Sequence, residues 1–133
     1  MSQCIVFAND AGGVSVCIPT GELSIEAVQA KDTPKGSIIM NVSDLPQAND
    51  FFDAFELADG KVEVSLAKAT EITKKRLRAE REPLLAAQDV AFQRALEAGS
   101  DTSAIVAEKN RLRDVTKLAD SATTLEGLRA IKV

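Results

Sequence analysis

The stretch whose residue types come nearest to a chemical site is the basic run 74–81 (KKRLRAER), which holds five Lys and Arg residues. Clustered bases are what contacts to phosphate require, so one hypothesis is a regulator that binds nucleic acid. Glu80 and Glu82 neutralise part of that charge, and Glu71 with Lys75 has the i,i+4 spacing of a helical ion pair. The chain also has no Trp or Tyr for base stacking. We therefore interpret the run as the charged surface of a helix that faces solvent or a protein. Binding to nucleic acid is the alternative.

Residue types that support catalysis are sparse in this sequence. Two carboxylate pairs, Asp50 with Asp53 and Glu80 with Glu82, could serve acid–base chemistry only inside a shaped and partly desolvated pocket. The chain has no His, so neither Ser nor Cys has an imidazole base. Gly12-Gly13 lacks the Gly-Lys-Ser/Thr ending of a phosphate loop. We predict a non-enzymatic protein without a metal, a cofactor or a small-molecule substrate.

The two cysteines, Cys4 and Cys17, admit two interpretations. Free, buried thiols are typical of a protein that folds in a reducing cytosol. A hairpin that turns at Asp10-Ala11 would place the two positions opposite each other, which would permit a cross-strand disulfide outside the cell. The N-terminus has neither the basic segment nor the apolar run of a secretory signal, and no stretch has the length of a membrane helix. We expect synthesis in a cytosol and no membrane partner.

Charge divides the chain into two unequal halves. Residues 1–63 contain ten acidic and three basic residues, for a net charge of −7, whereas residues 64–133 contain ten acidic and thirteen basic residues, for +3. Local patterns change at the same point, from short β-rich runs to helical periodicity. We predict an α+β protein with a β-rich head over residues 1–64 and an α-helical region over 65–133.

The head is predicted to contain several short strands. Runs 3–8 and 14–18 read as a hairpin around glycines, Ser37 to Val42 reads as a third strand, and Asp59-Gly60 is a strong turn signal between two further strands. Ser24 is placed to cap a helix over residues 25–31. A helical turn over residues 49–54 would bring together an aromatic cluster: Phe51, Phe52 and Phe55.

The second region is predicted to be long helices. Ser65 can cap a helix that begins at Leu66, and Pro83 predicts either a kink or the start of a second, abutting helix. Gly99 is a suitable C-terminal cap, and a helix from residues 100–102 to about Val115 would fold back antiparallel. Thr123 and Glu126 have the spacing of a capping box for a last short helix.

The helical region also resembles a known group of viral proteins. Residues 78–90 (RAEREPLLAAQDV), followed by residues 112–116 (LRDVT), are similar to the C-terminal segment of tail assembly chaperones and small tail-fibre-associated proteins of tailed bacteriophages. Residues 23–32 with 42–46 look like small proteins of phage structural regions. In the chaperone pattern an aromatic residue, often Trp, follows the Asp, whereas Val90 follows Asp89 here. The resemblance therefore implies an accessory protein that stays in the virion, with the assembly chaperone as the alternative.

Self-association is predicted from a narrow apolar stripe on the long helix, which resembles a coiled-coil seam. We expect a homodimer or homotrimer that contacts other head, tail or fibre proteins of the phage, made in the host cytoplasm and located in the virion. The residues predicted to make protein contacts are Leu66, Ile72, Leu77, Arg78, Arg81, Leu84, Leu85, Asp89, Leu112, Arg113 and Asp114.

Overall fold

The computed structural model describes residues 2–133. The chain divides into two compact units, the first ending at Lys68 and the second beginning at Ala69. The predicted α+β class is confirmed, because small β-sheets occupy the N-terminal part and a long helix with shorter helices follows. Within the described residues, no helix combines the length and apolarity that crossing a bilayer requires.

The first unit is built on a three-stranded antiparallel sheet with β1 (Gln3–Ala8) at its centre, flanked by β2 (Val14–Cys17) and β3 (Ile38–Asn41). Successive side chains of a strand point to opposite faces. Cys4, Ile5 and Val6 are nevertheless all buried. Both faces of β1 are therefore covered, and this strand forms the centre of the core of the unit.

The register of this sheet decides between the two interpretations of the cysteines. Ile5, and not Cys4, lies opposite Cys17, while Cys4 lies opposite Met40 on β3. The predicted register was wrong by one residue, and a slip of one residue moves a side chain to the other face. Cys4 and Cys17 consequently point to opposite faces of the sheet, and both are free thiols. Burial raises the pKa of the Cys4 thiol, with a smaller contribution from the charge of Asp44.

A second, two-stranded sheet pairs β4 (Phe55–Ala58) with β5 (Lys61–Val64). The predicted turn at Asp59-Gly60 is confirmed, with φ values of 52° and 76° that match the left-handed conformations of a two-residue hairpin turn. The preceding 3-10 helix, Asn49–Ala54, supports the aromatic cluster, in which the rings of Phe52 and Phe55 have centroids 5.0 Å apart.

The first helix, α1 (Ile25–Asp32), forms where the capping residue predicted it. The Ser24 hydroxyl accepts a hydrogen bond from the Ala27 amide at 3.2 Å, which satisfies a donor that the first helical turn leaves open. Its single buried residue is Val28.

The second unit contains most of α2 (Leu66–Ala98), followed by α3 (Ser103–Asp114), α4 (Lys117–Ser121) and α5 (Leu125–Ala130). The α2 helix runs through Pro83 without ending, so the alternative of two abutting helices is wrong. The last helix is present, but its cap is the Thr124 hydroxyl, which accepts from the Gly127 amide at 3.0 Å, and not Thr123. No helix was predicted at the position of α4.

Candidate functional site

A helical hairpin is the feature of the second unit that brings the predicted contact residues together. Its turn follows Gly99, whose φ of 68° is left-handed. The Ser100 amide bonds to the Ala95 carbonyl at 2.9 Å and the Gly99 amide to the Leu96 carbonyl at 3.2 Å, which is the Schellman pattern of a helix end. Asp101 then accepts from the amide and the hydroxyl of Ser103 and starts α3, and these bonds lower the pKa of its carboxyl group.

Arg81 joins the two helices at the end of the hairpin that is remote from the turn. Its guanidinium donates to the carbonyl of Leu112 at 3.3 Å and to the carbonyl of Arg113 at 2.7 Å. These carbonyls lie in the last turn of α3, where helical hydrogen bonds run out and the helix dipole favours a positive charge. Arg81 is therefore an intrachain cap of α3, and only part of its charge is available to a partner.

Asp89 and Lys109 join the two helices nearer the turn. The Lys109 ammonium lies 2.7 Å from the Asp89 carboxylate and 5.0 Å from the centre of the Phe92 ring. The Lys109 side chain is largely covered, whereas Asp89 is exposed, so the pair combines a screened ion pair with a cation–π contact. Asp89 thus has a structural role within this chain.

Two more bases of the run 74–81 are also occupied within the second unit. The Lys74 ammonium lies 2.6 Å from Asp120, and this hydrogen bond is the main cause that raises the lysine pKa. The Arg76 guanidinium donates to the carbonyls of Leu128 and Ile131 at the end of α5, at 3.2 and 2.9 Å. The run therefore works mainly as a set of helix caps and ion pairs, which leaves less free positive charge for phosphates than the sequence suggested.

One shallow cleft lies along the face of α2 that carries Arg81 and Asp89. Its volume is about 420 Å³, and all of its lining side chains recur at helical spacing: Arg78, Arg81, Glu82, Leu85, Ala86 and Asp89. Four predicted contact residues are thus brought together, with the half-buried Leu85 between charged neighbours. A surface of this kind can bind a protein segment, and its mixture of two apolar side chains with both signs of charge suits a polar, partly exposed contact.

The apolar seam predicted for self-association is not a single exposed stripe. Leu77 and Leu112 are 0% and 1% exposed in the folded chain, so neither can be an intermolecular contact. Ile72 is half-buried, and it lies on a different side of α2 from Leu84. Leu66 and Leu84 are exposed, although Leu66 belongs to the first unit. The expectation that Leu77 forms the seam was therefore wrong, because Leu77 is a core residue.

The end of α3 combines the buried Leu112 with two exposed charged residues. Arg113 and Asp114 are exposed, and Asp114 pairs with Lys117 at 3.1 Å. Nearby in the same helix, Arg111 pairs with Glu108 at 2.6 Å, and this hydrogen bond lowers the pKa of the Glu108 carboxyl group.

Sequence reasoning missed several residues that shape the hairpin. Lys109 and Phe92 belong to no recognisable motif. The antiparallel pairing of the helices brings Lys109 close to both Asp89 and Phe92. The exposed Val90, Leu96 and Val106 were passed over because none continues the apolar stripe. Their signal in the sequence was a large aliphatic residue off the predicted seam. No group of metal-binding side chains occurs among residues 2–133.

Comparisons with known proteins add no relative to this geometry. No protein-family model matches the chain, and neither does any curated protein or any solved structure.

Proposed function

We propose that this chain is a non-enzymatic accessory protein of a tailed-bacteriophage particle, which acts through contacts with other structural proteins of the phage. The assignment to a phage is supported by the resemblance of residues 78–90 and 112–116. The mode of action is supported by the structure of the helical hairpin, independently of that resemblance.

The observation that carries the proposal is that no residue from Arg78 to Arg111 is buried. This part of the hairpin consists of two paired helices with no third layer over them. Four large aliphatic side chains in it are exposed, namely Leu84 at 42%, Val90 at 51%, Leu96 at 53% and Val106 at 40%. Helices in stable bundles bury an apolar stripe against further helices. A partner protein that covers this hairpin would supply the missing contacts.

Self-association is one source of such a partner and stays part of the proposal. Two hairpins that pack together would form four helices, which is one way to complete such a layer. The exposed aliphatic residues lie on more than one side of α2, because Leu84, Val90 and Leu96 are each separated by six residues, or about 600° of helical rotation. The hairpin can therefore touch a second copy and another phage protein at the same time.

The experiment that tests the proposal is a comparison of particles from the encoding phage with and without a change on the hairpin. Leu96→Glu places a charge on an exposed apolar position and should lower the amount of this chain in purified particles, measured by quantitative mass spectrometry. Leu118→Glu is the matched control, because Leu118 is equally exposed at 55% but lies in α4, outside the hairpin.

Three results would count against the proposal in different ways. If the wild-type chain is absent from particles but a fibre protein fails to fold without it, the chain is an assembly chaperone. If Leu96→Glu and Leu118→Glu are incorporated equally, the hairpin is not the contact surface. If the purified chain shifts DNA or RNA at micromolar concentration, and low salt strengthens the shift, the nucleic-acid alternative is supported.

A further inference from the structure

The β5 strand presents an open edge in the first unit. Within residues 2–133 it pairs only with β4. The Ser65 amide bonds to the Ala54 carbonyl at 2.8 Å, which identifies the pair 54/65 as hydrogen-bonded. Antiparallel pairs alternate between hydrogen-bonded and non-hydrogen-bonded. The main chains of Glu63 and Glu56 are therefore hydrogen-bonded to each other, whereas Val62 and Val64 direct their main-chain N–H and C=O groups away from β4.

These outward groups lack main-chain partners. Among residues 2–133, no main-chain hydrogen bond outside the β4–β5 ladder involves residues 61–64. A cleft of about 430 Å³ opens beside them, lined by residues 60–63 together with Met40 and Asp44. Neighbouring side chains of a strand alternate between its faces, so a cleft that is bordered by four consecutive residues follows the edge of the strand. The cleft thus gives access to the edge at Lys61, Val62 and Glu63.

The side chains on this edge carry a definite pattern. Val62 shares a face with the core residue Phe55, and Val62 is itself 7% exposed. Glu63 lies on the other face, directly opposite Glu56, and like charges at opposed positions are unfavourable. The Glu56 carboxylate has a partner in the Lys68 ammonium at 2.9 Å. Glu63 is exposed, and no described ion pair reaches it.

We propose that the β5 edge binds an extended strand of another protein whose sequence alternates apolar, basic and apolar residues. The main chain of the incoming strand would bond to the outward groups of Val62 and Val64 by strand addition. In the antiparallel orientation its basic residue falls opposite Glu63 in a non-hydrogen-bonded pair, where side chains approach most closely. The surrounding charge favours the same chemistry, since residues 1–68 hold ten acidic and four basic residues. This proposal concerns residues of the first unit alone and does not depend on the proposed phage role.

The test uses the full chain and a capped peptide, acetyl-Thr-Thr-Val-Lys-Val-Thr-amide, with a control peptide that has Glu in place of Lys. Titration followed by amide NMR should shift and protect Val62 and Val64, and the Lys peptide should bind more tightly than the Glu peptide. Glu63→Lys should reverse that order, with a change of about tenfold for each peptide, because it exchanges an attractive cross-strand pair for a repulsive one.

Val64→Pro provides a second and more local variant. It removes an outward N–H but none of the hydrogen bonds to β4, and proline is tolerated on a strand edge in that position. It should abolish peptide binding while circular dichroism shows unchanged unfolding. Shifts confined to the helices, or equal affinity of both peptides for wild type and Glu63→Lys, would overturn the proposal. Protection of Val62 and Val64 that rises with protein concentration in the absence of peptide would instead show a second copy on this edge, which also refutes it.

Discussion

Leu77 provides the sharpest test of the difference between a core residue and a contact residue. Its side chain is 0% exposed, although its spacing with Leu84 suggests a seam between copies. Truncation of a fully buried leucine to alanine removes apolar burial and leaves a cavity, and such changes cost about 2–5 kcal/mol. We therefore expect Leu77→Ala to lower the free energy of unfolding by about 3 kcal/mol. Leu84→Ala, at an exposed position, should cost well under 1 kcal/mol.

Urea unfolding measured by circular dichroism at 222 nm is the appropriate assay, because α2 and the shorter helices dominate that signal. With a denaturant slope of about 1.5 kcal/mol per molar, the loss at Leu77 corresponds to a midpoint lower by about 2 M. The shift should not depend on protein concentration, since the cost arises within one chain. Equal midpoints for the two variants would refute this reasoning. A Leu77→Ala shift that disappears at high protein concentration would also refute it, and would indicate that Leu77 lies in an interface between copies.

Three further predictions concern the hairpin and its ion pairs. Arg81→Ala should lower the free energy of unfolding by about 1–2 kcal/mol, because two carbonyls at the end of α3 lose a charged donor. The control variant Arg78→Ala should change the free energy of unfolding by less than about 0.5 kcal/mol. Equal melting temperatures for the two variants would show that Arg81 does not cap α3. The Glu108 carboxyl group, beside Arg111, should titrate below its ordinary value of 4.5 in a carbon-detected NMR titration. Since its folded pKa is depressed, its contribution to stability is present above pH 4.5 and is lost as the pH falls through the folded pKa; a Glu108→Gln variant with the same acid sensitivity as wild type would argue against this. Gly99→Ala should cost about 1 kcal/mol, because φ is 68° there, and an unchanged urea midpoint would show that the turn adopts another conformation.

Local features of the fold were predictable where one residue determines the conformation. Ser24 caps α1 and Asp59-Gly60 turns the β4–β5 hairpin, because a side-chain acceptor and left-handed backbone act over a few residues. The position of Gly99 at the end of α2 belongs to the same class. The order of short strands followed by long helices was also predictable from local periodicity, which changes from two to about 3.6 residues near Val64.

Features that depend on pairing over longer distances were not predictable from spacing alone. The predicted hairpin register of the first sheet was wrong by one residue, because Ala8 pairs with Val14 and the turn is therefore centred on Ala11 instead of between Asp10 and Ala11. The destination of Arg81 depends on where α3 ends, thirty-two residues later in the sequence. The motif includes Arg81 and Asp89, but their contacts with α3 became clear only once the antiparallel pairing was known.

The turn at the tip of the helical hairpin has a practical consequence for work in cells. Residues Gly99 to Asp101 are exposed, and the space around a side chain at position 99 is open within 4 Å. The helix end is closed by main-chain bonds that stop at Ser100, and exposed loop tips of this kind accept inserted sequence well. A short peptide tag or a fluorophore placed after Ser100 would leave both helices intact. It would report on whether an antibody reaches the tip of the hairpin in a cell, and would so distinguish a hairpin that a partner covers from one that stays exposed.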